Sequence, residues 1–388
     1  MPAGSAPSPM RGTPLREIAQ LFLTLGTTAF GGPAVHIAMM EEQVVRRRGW
    51  LTREQFLDYL GATNLIPGPN STELAIHIGH ARAGWPGLMV AGAAFILPAF
   101  LIVSAVGWAY VRLGALPQVA GLLYGVKPVV IAIVAQALWN LGRSAIKSPL
   151  LAVLAIAAVV AAAVGVNELL VLAASGLLAA LVDRGKVARR GAVAAVLGGV
   201  SWPRSLAAAS AATGSTAVAV WPLFAVFAKA GAVLFGSGYV LLAFLRADLV
   251  DRLGWLTEAQ LLDAVAVGQV TPGPVFTTAT FIGYVLAGPS GAVVATVGIF
   301  LPAFVFVALS GPVVPRLRRS RTAGAVLDGV NVASLALMAV VSWQLGRAAL
   351  IDPLTIMLAV TSAVALLYAR INPAWLIAAA AMVGWLRS

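Results

Sequence analysis

From Pro86 to Val111 the chain runs without a single charged residue. A stretch of that length crosses the roughly 30 Å apolar layer of a bilayer as a helix. Inside that layer every backbone N–H and C=O must be bonded within the protein, so only helices and closed barrels span it. Several other runs approach the same length, among them Val119 to Leu141, which is closed by Arg143 and Lys147. Charged residues make up 10% of the 388 positions and hydrophobic ones 60%. A soluble domain carries about 25% charged residues, so a soluble fold is excluded. The expected class is an all-α integral membrane protein.

Two short stretches interrupt this pattern, Pro67-Gly68-Pro69 and Pro272-Gly273-Pro274. A helix cannot pass through either, because each proline lacks an N–H and its ring clashes with the preceding turn. At membrane depth such a break survives only where it is buried in protein or lines a polar cavity. Thr52 with Gln55 forms a capping-box pattern, so a helix starts at Arg53 and stops by Ile66. Leu74 to Ala83 continues after the break, and the two half-length helices read as a re-entrant hairpin. A further break at Gly31-Gly32-Pro33 follows the apolar segment Leu15 to Phe30 and precedes a short helix, Val35 to Val45.

The chain then repeats itself. Gly49-Trp50-Leu51-Thr52 returns as Gly254-Trp255-Leu256-Thr257, and Asp58 returns as Asp263. Pro-Gly-Pro returns 205 positions on, and Leu97-Pro98-Ala99-Phe100 returns as Leu301-Pro302-Ala303-Phe304. Trp139, Gly142 and Arg143 return as Trp343, Gly346 and Arg347. Paired broken helices in a duplicated chain point to a secondary transporter. Basic loops face the cytoplasm. Arg46-Arg47-Arg48 and Arg53 precede the first hairpin, whereas Arg246, Asp248, Asp251 and Arg252 balance before the second. After the proline-containing span the bias reverses, with Arg112 alone in the first half and Arg316, Arg318, Arg319 and Arg321 in the second. The repeats are therefore expected to be inverted. We expect a tail at 1–14, a first repeat at 15–182, a basic linker at 183–220 and a second repeat at 221–388. About five full crossings and one re-entrant hairpin per half are favoured, about 10–13 membrane segments in all. In the alternative, each half crosses an even number of times and residues 191–220 add one crossing.

A broken helix presents unpaired N–H groups and the positive end of its dipole, which together make an anion site. Asn70, Ser71 and Thr72 hold this position in the first half, and Phe276, Thr277 and Thr278 in the second. Their hydroxyls and amide donate hydrogen bonds without adding charge; ordinary N-capping is the competing role. Gly31, Gly32 and Gly236 let backbone approach a ligand at the other breaks. Lys229 lies deep in an apolar segment, where a charge is costly and functional by default, or else snorkels to an interface. Its counterpart is Thr24. Glu73 is the proton-coupling candidate: an ionised carboxylate beside an anion repels it, so protonation and anion binding favour one another. Arg143 and Arg347 read as interface markers more readily than as bidentate anion ligands.

Other chemistries find little support. There is no cysteine, hence no disulfide and no thiolate ligand or nucleophile. The three histidines, His36, His77 and His80, lack the further ligands a metal site needs. No catalytic residues, metal or cofactor are expected, although Glu73, His77 and His80 leave an intramembrane hydrolase formally open. The net charge of +12 reflects basic loops rather than nucleic-acid binding. No phosphate loop of the Gly-x-x-x-x-Gly-Lys type is present, so there is no nucleotide-driven engine. The first 14 residues do not read as a secretory signal.

The chain resembles the chromate ion transporter family in its long, two-domain form. The likeness rests on Phe30-Gly31-Gly32-Pro33 with His36, and on Pro67-Gly68-Pro69-Asn70-Ser71-Thr72-Glu73-Leu74-Ala75 with Gly79. Arg82-Ala83-Gly84-Trp85 and Phe95-Ile96-Leu97-Pro98-Ala99 also fit. It implies export of chromate across the bacterial inner membrane, chromate resistance, coupling to the membrane potential or a proton gradient, and sulfate as a related competitor. The expected partners are chromate, sulfate, the lipid bilayer and a second copy in a homodimer. The first half departs from the family pattern at Thr24, where a lysine is expected, and the second has Gly236-Ser237-Gly238 in place of Gly-Gly-Pro. Both departures argue for one asymmetric site.

Overall fold

Backbone hydrogen bonding is met by helices alone, with no strand among the described residues. The computed structural model describes residues 14–30, 32–113, 117–184, 219–235, 240–369 and 371–387. Most of the expected tail and linker, together with Gly31 and Gly236, lie outside them. The first repeat comprises α1 (Leu15–Thr28), α2 (Pro33–Glu41), α3 (Arg53–Thr63), α4 (Asn70–Leu113), α5 (Pro117–Ala145), α6 (Pro149–Ala163) and α7 (Glu168–Arg184). The second comprises α8 (Val220–Val233), α9 (Leu241–Leu245), α10 (Glu258–Val270), α11 (Thr278–Arg319), α12 (Arg321–Ala349), α13 (Pro353–Leu367) and α14 (Pro373–Arg387). Local detail repeats as well. A π-helical turn follows both α2 (Glu42–Arg47) and α9 (Arg246–Arg252). Full capping boxes start α3, at Thr52 with Gln55, and α10, at Thr257 with Gln260.

The long α4 is two limbs folded against each other. Ala83 (φ −143°) and Gly84 (φ 59°) reverse the chain, a turn that only glycine makes without strain at the second position. A Cβ on Gly79 would lie 2.3 Å from the Gly87 carbonyl oxygen, so the limbs 70–83 and 84–113 pack backbone against backbone. α11 turns identically at Ala287 (φ −144°) and Gly288 (φ 63°). Gly283 and Gly291 repeat the close approach, and the Thr280 and Thr296 hydroxyls bridge the limbs at 2.7 Å. Pro67-Gly68-Pro69 therefore joins α3 to the short limb of α4. Tyr59 and His77 stack with ring centroids 5.6 Å apart across that hairpin.

The expected count of five full crossings and one hairpin per half is corrected. α1 and α2 form a second half-length hairpin. Phe22 of α1 and His36 of α2 both meet the Phe95 ring, at 6.4 and 5.5 Å between centroids. The physical reason is Gly32 at φ 83°, which turns the chain before Pro33 opens α2. Each half thus holds two half-length hairpins, two helices long and apolar enough to cross a membrane (the long limb of α4 or α11, and α5 or α12), and two shorter apolar helices after them.

The repeats interlock. Gly142 faces Leu335 and Gly346 faces Ile131, so α5 and α12 run antiparallel as symmetry equivalents. α6 and α7 pack on α12 of the other repeat, while α13 and α14 pack on α5. Glycine makes this possible: a Cβ on Gly329 would lie 2.4 Å from the Ser175 carbonyl oxygen. The Pro-Gly-Pro tips and the breaks after α1 and α8 meet in the middle.

Gly79→Val should cost about 1–3 kcal/mol or more, because its side chain enters occupied space. Gly49 has φ 58° but nothing within 4 Å of an added Cβ, so Gly49→Ala should cost only about 1 kcal/mol of backbone strain. Thermal unfolding in detergent measures both, and equal losses would contradict the packed hairpin.

Candidate functional site at the helix breaks

Each Pro-Gly-Pro tip is fastened to the other repeat. The Gly68 N–H donates to the Leu234 carbonyl just beyond α8, at 2.7 Å. The Gly273 N–H donates to the Ala29 carbonyl just beyond α1, at 3.1 Å. These carbonyls follow the C-terminal ends of broken helices and have no further turn to accept from. The tips have spare N–H groups for the same reason, so each break satisfies the other. Ala29 O also receives His36 Nε2, at 3.1 Å. Both glycines have positive φ, 142° for Gly68 and 92° for Gly273, and both are overlain. A Cβ would stand 2.3 Å from Glu73 Oε1 at Gly68 and 2.9 Å from the Ala99 Cβ at Gly273.

Beside this crossing lies a cavity of about 1290 Å³. Its inner end is formed by Phe30 and Pro33 at the first break, Phe235 and Val240 at the third, and Asn64 and Asn70 at the first Pro-Gly-Pro tip. Its walls are the C-terminal half of α5, with Gln136, Asn140 and Arg143, and the N-terminal half of α12, with Asn331 and Ser334. Lys147 and Asp328, paired at 2.8 Å, stand at its mouth. The lining is largely apolar, and the polar groups set into its walls are mostly amides and hydroxyls, Asn64, Asn70, Gln136, Asn140, Asn331 and Ser334, which can hydrogen-bond an anion without fixing it by charge.

The expected site residues separate into groups. Asn70 begins the short limb of α4, lines the cavity and donates from Nδ2 to Asn64 Oδ1 at 3.0 Å. Ser71, Thr72 and Glu73 are buried immediately behind it, at 3%, 0% and 0% exposure. The Thr72 hydroxyl and both Glu73 carboxylate oxygens have no hydrogen-bond partner. Unbonded buried polar atoms are costly and mark a site with an occupant or a moving part. Gly32 caps α2 beside the cavity. In the second repeat, Thr277 and Thr278 turn their hydroxyls onto Pro274 O and Val275 O, both at 2.8 Å, and do not line the cavity. Lys229 lies away from it, gripping Asp248 at 2.7 Å, with Arg252 on the same carboxylate at 3.0 Å. Pro67, Pro69, Pro272 and Pro274 flank the two bonded glycines and set the tips. Among the described residues no group of three or more acidic or histidine side chains could hold a metal.

Sequence reasoning missed Asn64, Gln136, Asn140 and Asn331. Their signal was polarity inside apolar runs, which the search for charges passed over. It also missed Lys127, a charge inside a span. Lys127 reaches Asp263 at 3.1 Å, and Tyr110 donates to the same carboxylate at 2.9 Å. Lys127 is the counterpart of the cavity-lining Asn331, so this cluster stands at the position that symmetry pairs with the open cavity. Next to it, a space lined by Tyr110, Gln260, Ala264 and Phe281 has no room for a water molecule.

The two hairpins differ accordingly. α10 packs against α5, α12 and α14, whereas α3 packs chiefly on α4. Leu57 of α3 is 51% exposed, and its equivalent on α10, Leu262, is 1% exposed. One hairpin is docked against the other repeat; the other stands off, beside the open cavity.

The chain was compared with known proteins. A family profile described as "Chromate transporter" matches twice, over residues 16–180 and 221–385. The chain is 34% identical to a chromate transport protein of Cupriavidus metallidurans over 95% of its own length and 92% of that protein's. It is 33% identical to a chromate transport protein of Pseudomonas aeruginosa, covering 94% of this chain and 90% of that one. An uncharacterized transporter of Methanocaldococcus jannaschii is 26% identical over 84% of this chain and 83% of its own. No solved structure matches the chain. With the profile covering both halves and the relatives spanning nearly the whole length, this multi-pass membrane protein belongs to the chromate transporter family.

Proposed function

We propose that this protein is a secondary transporter that exports chromate across the bacterial inner membrane, with sulfate as a competing oxyanion. The observation that carries the reading is the reciprocal fastening of the two Pro-Gly-Pro tips beside a large cavity whose walls carry Asn70, Gln136, Asn140, Asn331 and Arg143. The cavity opens at the end of the molecule that holds Arg46, Arg47, Arg48, Arg53, Arg143 and Lys147 in sequence, and the α11–α12 junction with Arg316, Arg318, Arg319 and Arg321. The opposite end balances Arg246 and Arg252 against Asp248, Asp251 and Glu258. The positive-inside rule supports placing the open end in the cytoplasm, where an exporter loads.

In this reading the anion descends between α5 and α12 to the amide of Asn70 and the N-terminus of the short limb of α4. Helix-end N–H groups and neutral donors suit a tetrahedral dianion that must be released again. Thr72 and Glu73 lie directly behind. Glu73 acts as the coupling group: its carboxylate folds over the tip glycine, so a change in its charge acts on the tip that holds the two repeats together. Thr278 occupies the matching position in the second repeat, so coupling belongs to one hairpin. Arg143 at the rim steers anions inward, and Lys229 with Asp248 braces α8 against the turn after α9.

Inverted membrane vesicles should accumulate chromate saturably, with sulfate competing and an uncoupler abolishing uptake. Flux that never saturates and survives the uncoupler would indicate a channel, and absence of chromate flux overturns the substrate. For Glu73, the sign follows from repulsion: deprotonation opposes anion binding. The native KM for chromate should therefore rise with pH by about tenfold, while Glu73→Gln, fixed in a neutral form, keeps a low and flat KM. A parallel rise in both proteins removes Glu73 from the coupling step.

A further inference from the structure

Lys127 and Asn331 occupy the same place in the two repeats, in Gly125-Val126-Lys127 and Gly329-Val330-Asn331. Asn331 lines the open cavity. Lys127 holds the corresponding position in the first repeat, bound to Asp263. In the antiparallel register of α5 and α12, the two positions lie roughly 30 Å apart along the helix axis, toward opposite faces. From the symmetry of the repeats and the asymmetry of their hairpins, we infer that Lys127 is the anion-contacting residue of a second cavity, which opens on the far face when α10 swings off α5 as α3 already stands off α12. This rests on the oxyanion-transport reading and adds a specificity residue to it.

The closed cluster contains what such a role requires. The Lys127 ammonium and the Asp263 carboxylate are 21% and 5% exposed, so the pair is largely out of water. Opening the cavity separates them and leaves an ammonium in a low-dielectric wall, where an oxyanion replaces the lost carboxylate. Closing returns Asp263 to Lys127 and displaces the anion toward the solvent. The carboxylate and the cargo thus compete for one cation, and shutting the cavity empties it. Asp58, the equivalent of Asp263, is exposed on α3. The open side offers Asn331 where the far side offers a charge, so the two sides hold the anion with different strength.

The chain contains no cysteine, so single cysteines report without background. Asn331→Cys and Lys127→Cys are treated with a membrane-impermeant maleimide in inverted and in right-side-out vesicles. Asn331→Cys should react from the cytoplasmic face and Lys127→Cys from the opposite one. Ala264→Cys, buried on α10 next to Asp263, serves as a second reporter of α10 movement should Lys127→Cys fail to fold. Modification of the α5 or α10 reporter from the same face as Asn331→Cys, or from neither face, overturns the inference. This labelling does not depend on the cargo, so a native protein without chromate flux would sink the transport reading and still leave the second cavity decided. The contact itself is tested by KM. Lys127→Asn and the double variant Lys127→Asn/Asp263→Asn should raise the chromate KM measured from the far face about tenfold, with the maximal rate changed less than about threefold. The double variant separates contact from neutralisation: recovery of the native KM would mean that Lys127 only balances Asp263, and the inference would fall.

Discussion

Two hydrogen bonds hold the architecture together, Gly68 N–H to Leu234 O and Gly273 N–H to Ala29 O. A helix that stops inside an apolar layer strands its last carbonyls, and a helix that starts there strands its first amides. Each repeat has one break of each kind at the same depth. The tip of one repeat bonds the carbonyl of the other. A second unit is thus what completes each break: an unpartnered repeat would leave an N–H and a C=O unbonded, each costing several kcal/mol in hydrocarbon. It also explains why glycine stands between the prolines. The bonds demand a backbone approach that a Cβ would block with Glu73 on one side and Ala99 on the other.

Around this fixed centre the two halves are alike in backbone and unlike in posture. The turns at Ala83–Gly84 and Ala287–Gly288 agree in both dihedrals within a few degrees. The capping boxes and π turns agree too. Yet α10 is buried against the other repeat and α3 is not. In the proposed transport cycle these unequal postures stand for two positions of the hairpin about its tip bond. The limbs of α4 and α11 are locked by glycine contacts, and α5 and α12 are clasped by the helix pairs of the opposite repeat.

Much of this was legible in the residues. Pro-Gly-Pro, the capping threonines and the 205-residue repeat fix where helices start and stop, and the exchange of basic loops fixes their inversion. The second hairpin, α1 with α2, was not legible as a hairpin. A glycine-rich break in an apolar run reads equally as a kink or a reversal, and only the packing of both arms on Phe95 distinguishes them. The boundary at Ala83–Gly84 was legible, since Leu74 to Ala83 and Pro86 to Val111 read as separate segments, whereas the reversal itself, made by Gly84 at φ 59°, was not. The candidate site was legible at Asn70 to Glu73, whose place at a helix start follows from the proline before them. Its other wall was not, because Asn140 and Asn331 lie on helices far apart in sequence that meet only after the repeats interlock.

Lys229 shows where the reading by charge alone misleads, and why. A lysine in an apolar segment signals a partner, but the sequence does not say whether that partner is cargo or protein. Here Asp248, nineteen residues on, lies on a π-helical turn, and the extra residue in that turn carries its side chain to the face of α8. The equivalent positions in the first repeat are Thr24 and Gln43, so cation and carboxylate are present or absent together. Lys127 and Asp263 break that rule. Asp263 has an equivalent, Asp58, while Lys127 is matched by Asn331. A pair lost on both sides is structural, whereas a carboxylate kept while the lysine is exchanged for asparagine leaves the two sides chemically unequal. In an inverted duplication matched features make the two faces alike, so the proposed directionality draws on unmatched residues, among them Glu73 against Thr278 at the tips and Lys127 against Asn331 along the walls.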